Sequence, residues 1–142
     1  MQHVMLDELP TDHCWALLRT ATVGRISWTT SHGPEVVPVN IAVDDHTVYI
    51  RTHMLSAMVQ RVDAERVAIQ ADRIDEATHT GWTVRARGRA EVRYAASGDG
   101  PDPSPWPEGA KSATVVVAVD EIDGRRLVEA GPEYADQEEE SR

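Results

Sequence analysis

Hydrophobic positions along this chain change period once, early, and keep the second period almost to the end. Between Thr11 and Gly24, Cys14, Leu17 and Leu18 fall at i, i+3 and i+4, one face of a helix, and Thr11 stands where its hydroxyl can cap a helix opening at Asp12. Gly24 interrupts that pattern, and the period becomes two: Gly24, Ile26 and Trp28 alternate with Val23, Arg25 and Ser27. Ser31-His32-Gly33-Pro34 supplies a turn. In the next run, Glu35–Val43, the residues Val37, Val39, Ile41 and Val43 share one face, with Pro38, Asn40 and Ala42 opposite. Asp44-Asp45-His46 then connects tightly into Thr47–Thr52, so these two runs predict a hairpin. Pro38 lacks a ladder donor, which places its stretch at an edge, at a bulge or against a second chain.

A second helix is expected from Ser56 to about Val62, with Ser56 as its cap and Met58, Val59 and Val62 inward. Arg66–Ala71 reads as a fourth strand. The fifth, Gly81–Tyr94, carries Trp82, Val84, Ala86, Gly88, Ala90 and Val92 on one side and Thr83, Arg85, Arg87, Arg89, Glu91 and Arg93 on the other. Ser97–Gly109 is a Pro/Gly-rich loop around Trp106. Ala113–Val119 is nearly all Val and Ala, the composition of a strand covered on both faces. The sum is a mainly β domain: a six-stranded antiparallel barrel with two or three short helices over residues 1–130. Residues 131–142, with Glu133, Asp136, Glu138, Glu139 and Glu140, read as an acidic, disordered tail.

Composition narrows the partners. The chain has 142 residues, enough for one domain that buries roughly 68% of its unfolded surface. A net charge of −10 repels phosphodiester backbones, so no nucleic acid is expected as a partner. No apolar run reaches the ~18 residues of a membrane span, and Met1-Gln2-His3-Val4 lacks a signal peptide's basic flank, so no membrane partner and a cytoplasmic location are expected. The single Cys14 agrees with a reducing compartment.

Five blocks in order carry a resemblance: Cys14-Trp15-Ala16-Leu17-Leu18 with Val23-Gly24-Arg25-Ile26, Val37-Pro38-Val39-Asn40, Val48-Tyr49-Ile50-Arg51-Thr52, and Thr80 through Ala90. Over Leu9–Leu127 the chain resembles the pyridoxamine 5'-phosphate oxidase-like, FMN-binding split β-barrel superfamily, in the branch with nitroimidazole-resistance-type proteins of actinobacteria. The resemblance implies a Greek-key split barrel, a homodimer with two flavin sites at its interface, and a small-molecule redox substrate. It also implies Val39, Asn40 and Ile41 along the isoalloxazine edge, Arg51, Thr52 and Ser56 on the ribityl phosphate, and Trp82 and Thr83 approaching from the fifth strand. In relatives the turn after the Arg-Thr pair commonly reads Gly-Ser/Thr-Lys, whereas here it reads Leu55-Ser56-Ala57. Leu55 removes an easy backbone approach, and Ala57 removes a cation. One charge-assisted hydrogen bond is worth about 1.5–3 kcal/mol, roughly 10- to 150-fold in affinity, so FMN is expected to be held weakly or lost.

Other chemistry-bearing residues read more plainly. The Arg85, Arg87, Arg89 and Arg93 stripe is expected to be a solvated strand face paired with carboxylates. Asp72, Asp75, Glu76 and His79 match no established ligand spacing and read as a solvated loop, so no metal is expected. Cys14 shares the apolar helix face and reads as packing rather than a nucleophile. Three functional classes stand side by side: an FMN-dependent oxidoreductase; a non-catalytic binder of flavin, deazaflavin or haem, with His53 as the candidate axial ligand; and a degenerate paralogue that acts through protein contacts.

Overall fold

The computed structural model describes residues 4–52, 57–94 and 113–129. Its elements are β1 (Val4–Glu8), α1 (Thr11–Thr20), β2 (Val23–Thr30), β3 (Gly33–Asp44), β4 (Thr47–Thr52), α2 (Ala57–Val62), β5 (Arg66–Asp75), β6 (Thr80–Tyr94) and β7 (Ala113–Glu129). Ser56, His53, Leu55, the loop around Trp106 and the acidic tail lie outside the described residues.

All strand pairings are antiparallel, in the order β1-β7-β4-β3-β2-β5-β6, and β6 pairs again with β7. Strands β2 to β7 thus close into a ring of six, the barrel that the alternation predicts. Within it β5 returns beside β2 after the β2-β3-β4 meander, giving the spatial order of a Greek key. The seventh strand, β1, is an addition that the hydropathy pattern does not reveal. It pairs with Arg125–Glu129, the far half of β7.

Alternation places the core. Ile26 and Trp28 of β2, Ile41 of β3, Val48 and Ile50 of β4, Val67, Ile69 and Ala71 of β5, and Val84, Ala86 and Ala90 of β6 are all buried inside the ring. Helix α1 closes one side with Cys14, Trp15 and Leu18, packing on β7, β3 and β6. Leu17 sits at the margin of that contact. The Trp15 ring stacks on His46 at 4.4 Å and an interplanar angle of 8°, tying α1 to the β3–β4 turn. That turn holds Asp45 and His46 at positive φ, the two-residue geometry that matches strand twist.

Three local expectations change. Thr11 is already helical and Pro10 occupies the capping position without a side-chain hydrogen bond; the Pro10 carbonyl accepts from the Cys14 N–H at 3.0 Å. Strand β5 runs on to Asp75, so Asp72 and Asp75 belong to a strand, and only Glu76 and His79 lie in the following turn. There the Asp75 carboxylate accepts from the Ala77 and Thr78 N–H groups. Strand β7 extends well past Val119, because its second half is held by β1 on one edge and β6 on the other. Where Val115, Val116 and Val117 follow one another, all three are buried, as their composition predicts.

Candidate functional site

Strand β3 changes partner halfway. Gly33–Asn40 pairs with β2, and Ile41–Asp44 pairs with β4. Among the described residues, the edge of the first half that faces away from β2 has no strand partner, and Pro38 lies on it. The proline therefore sits where a missing donor costs no ladder bond across that edge. Helix α2 lies near this open edge, lining one cleft with it. Met58, Val59 and Val62 point into the core, and two bonds fix the turn that follows: the Ala64 N–H donates to the Ala90 carbonyl, and Asp63 accepts from the Val92 N–H.

Between the β2–β3 hairpin and α2 is a cleft of about 530 Å³, within the range of small-molecule sites. Trp28, Val37, Pro38 and Val39 make its apolar wall, Thr52 comes from the end of β4, and Ala57, Met58 and Arg61 come from α2. The hairpin tip contributes Thr30, Ser31, His32 and Glu35. This tip is internally bonded: the Thr30 hydroxyl donates to the Gly33 carbonyl at 2.8 Å and accepts from the His32 N–H at 3.1 Å. Gly33 takes φ +116°, a value that side-chain-bearing residues rarely adopt. The Trp28 indole N–H is sealed from solvent and has no hydrogen-bond partner among the described residues, a group whose burial costs about 1–3 kcal/mol. Arg61 is exposed and makes no hydrogen bond or ion pair among the described residues.

Of the residues singled out from sequence, Val39 and Thr52 meet in this cleft. Asn40 is the next residue of β3, half-buried opposite Val23. Ile41 is a core side chain, and its N–H donates to the Thr22 carbonyl at 3.0 Å. Arg51 lies on the other face of β4 from Thr52, as successive strand residues must. Trp82 is buried in the barrel. Thr83 faces outward, three strands from β3 across β2 and β5, in a recess of about 250 Å³ with Arg85 and Arg125. Trp28 and Arg61 escaped sequence reasoning. For Arg61 the signal was present, since it follows Ala57 by four residues and so falls on the same helical face.

The arginine stripe of β6 is largely committed elsewhere. Arg85 pairs with Asp123 at 3.2 Å, Arg87 with Glu121 at 3.8 Å, Arg93 with Glu91 at 3.3 Å, and Arg89 donates to the Ala64 carbonyl at 2.8 Å. Beside it Arg66 forks onto both carboxylate oxygens of Asp120 at 2.7 Å, and this bond holds the Asp120 carboxyl below its ordinary pKa. Cys14 is sealed under α1; burial first, then the charge of Asp123, pushes its thiol pKa up, which suits packing rather than attack.

Comparison with known proteins agrees with this architecture. The family profile described as pyridoxamine 5'-phosphate oxidase matches residues 10–126. An uncharacterised protein of Mycobacterium tuberculosis is 30% identical over 137 residues, 85% of each chain. The solved FAD-binding protein of Mycobacterium smegmatis is 27% identical, with a TM-score of 0.68 over 86% of this chain and 98% of its own. A candidate 5-nitroimidazole resistance protein from Bacteroides thetaiotaomicron shares the fold alone, at 16% identity and a TM-score of 0.66 over 89% of this chain and 90% of its own. With the ring of six strands, the split in β3 and a profile match across most of its length, the chain belongs to the pyridoxamine 5'-phosphate oxidase family.

Proposed function

We propose that this protein binds a flavin nucleotide, FMN or FAD, in the cleft between the β2–β3 hairpin and α2, and serves a redox reaction of a small molecule in the cytoplasm. The observation that carries the reading is the cleft itself: an apolar wall of Trp28, Val37 and Val39 shares it with hydroxyl and guanidinium donors on Thr52 and Arg61. A planar tricycle suits the wall, and a phosphate suits the donors. The open edge of Gly33–Asn40 offers backbone groups that a ring's polar edge, or a second chain, can satisfy. When bound, the flavin supplies the hydride chemistry. The protein's own residues orient the ring, exclude water from one face and neutralise phosphate charge.

The site is proposed to be completed in a homodimer. Thr83 lies three strands from β3 within one chain, so it reaches the same ligand only from a second copy. Titration with FMN, FAD, a deazaflavin and haemin, followed by tryptophan quenching and ultraviolet-visible spectra, tests the reading. Saturation near one flavin per subunit supports it. No saturable binding by any of the four overturns it, and favours the second reading, a paralogue that has lost its cofactor, to which Ala57 in the cleft wall lends weight.

A further inference from the structure

The geometry points to Arg61 as the residue that binds the ligand's phosphate, taking over from the cation that relatives carry at the position of Ala57. The inference rests on the flavin reading above and goes beyond it by naming the group that holds the anion.

Four observations carry it. Ala57 and Arg61 both line the cleft, although only the first stands where a lysine was expected. They are four residues apart on α2, so their side chains rise from one helical face, about 6 Å apart along the axis. Helical side chains lean toward the N-terminal end, which aims the long stem of Arg61 back over Ala57, where a methyl group leaves room. Finally, Arg61 has no acidic or carbonyl partner among the described residues, whereas Arg66, Arg85, Arg87 and Arg89 are all engaged. Among the described residues it is also the one arginine or lysine lining this cleft, in a protein of net charge −10. A guanidinium binds a phosphate through two parallel donors, so it replaces a lysine's charge and adds direction.

The test compares FMN and FAD with riboflavin, which has the ring but no phosphate. Native protein, Arg61→Ala and Arg61→Lys are titrated at low and moderate salt, with circular dichroism to verify the fold. Arg61→Ala is expected to weaken FMN about 10- to 150-fold, to leave riboflavin unchanged, and to flatten the salt dependence. Arg61→Lys should recover part of the loss for FMN alone. Equal effects of Arg61→Ala on FMN and riboflavin, or no effect on either, overturn the assignment while the flavin site stands. Native protein that binds FMN no more tightly than riboflavin also overturns it. Native protein that binds neither overturns the flavin reading itself, and Arg61 falls with it.

Discussion

Arginine has two fates in this molecule, and they divide it into two regions. On the β5–β6–β7 side, long strands pair along their length and the outward arginines are locked onto carboxylates: Arg66 on Asp120, Arg85 on Asp123, Arg87 on Glu121. On the β3–α2 side, β3 has one open edge, the helix has six residues, and Arg61 lines the cleft with its donors uncommitted among the described residues. The first region spends its polar groups on itself and defines the shape. The second keeps polar and backbone groups available, which a ligand site or an interface requires. A charged residue conspicuous in sequence, such as the stripe on β6, is therefore a weaker pointer to function here than a single arginine in a cleft.

The largest test of this division falls on the closed region. A Cβ at Gly88 would overlap the Ala118 carbonyl at the β6–β7 register shift. Gly88→Val is expected to cost about 3 kcal/mol or more in urea unfolding, because backbone rather than a flexible side chain must move. A smaller change sharpens the open region. Ala57→Lys adds a second cation beside Arg61, and should tighten FMN about tenfold, roughly 1.4 kcal/mol, with little effect on melting.

Cys14 probes how well the closed region is sealed. Its thiol is fully buried with a raised pKa, so thiol-disulfide reagents at mildly alkaline pH should label it only once denaturant has unfolded the chain. Cys14→Ala should cost about 1 kcal/mol. The smallest effect is the acid limb of stability. Asp120 has a lowered carboxyl pKa in the fold, chiefly from the Arg66 hydrogen bond. Its contribution is therefore present above the ordinary carboxylate pKa and disappears as pH falls through the lowered value. Asp120→Asn should flatten that part of a melting-temperature profile only slightly, because both partners are exposed.

What was legible in the sequence was legible through local periodicity. The alternation from Trp82 to Ala90 and the Val115–Val117 run depend on each residue's own side of a sheet, and both took the burial their pattern required. The far half of β7 was not legible, because Asp120, Glu121 and Asp123 look like loop; pairing on both edges makes it a strand. Strand β1 was hidden for the same reason, since its partner is more than a hundred residues away. Of the residues that line the cleft, the family resemblance points to Val39 and Thr52 but not to Arg61, whose four-residue spacing from Ala57 lies beyond the turn motif.

The sequence by itself determined the class of fold, the faces of its strands and the absence of a cation at position 57, since all three follow from residue identity and spacing. Only the tertiary structure decided that β3 splits between two partners and leaves an edge open. It likewise decided that Arg85 and Arg87 of β6 face carboxylates across the ladder, and that Arg61 shares a cleft with Val39 and Thr52. Those facts depend on register between distant strands, which long-range pairing sets and local pattern does not encode.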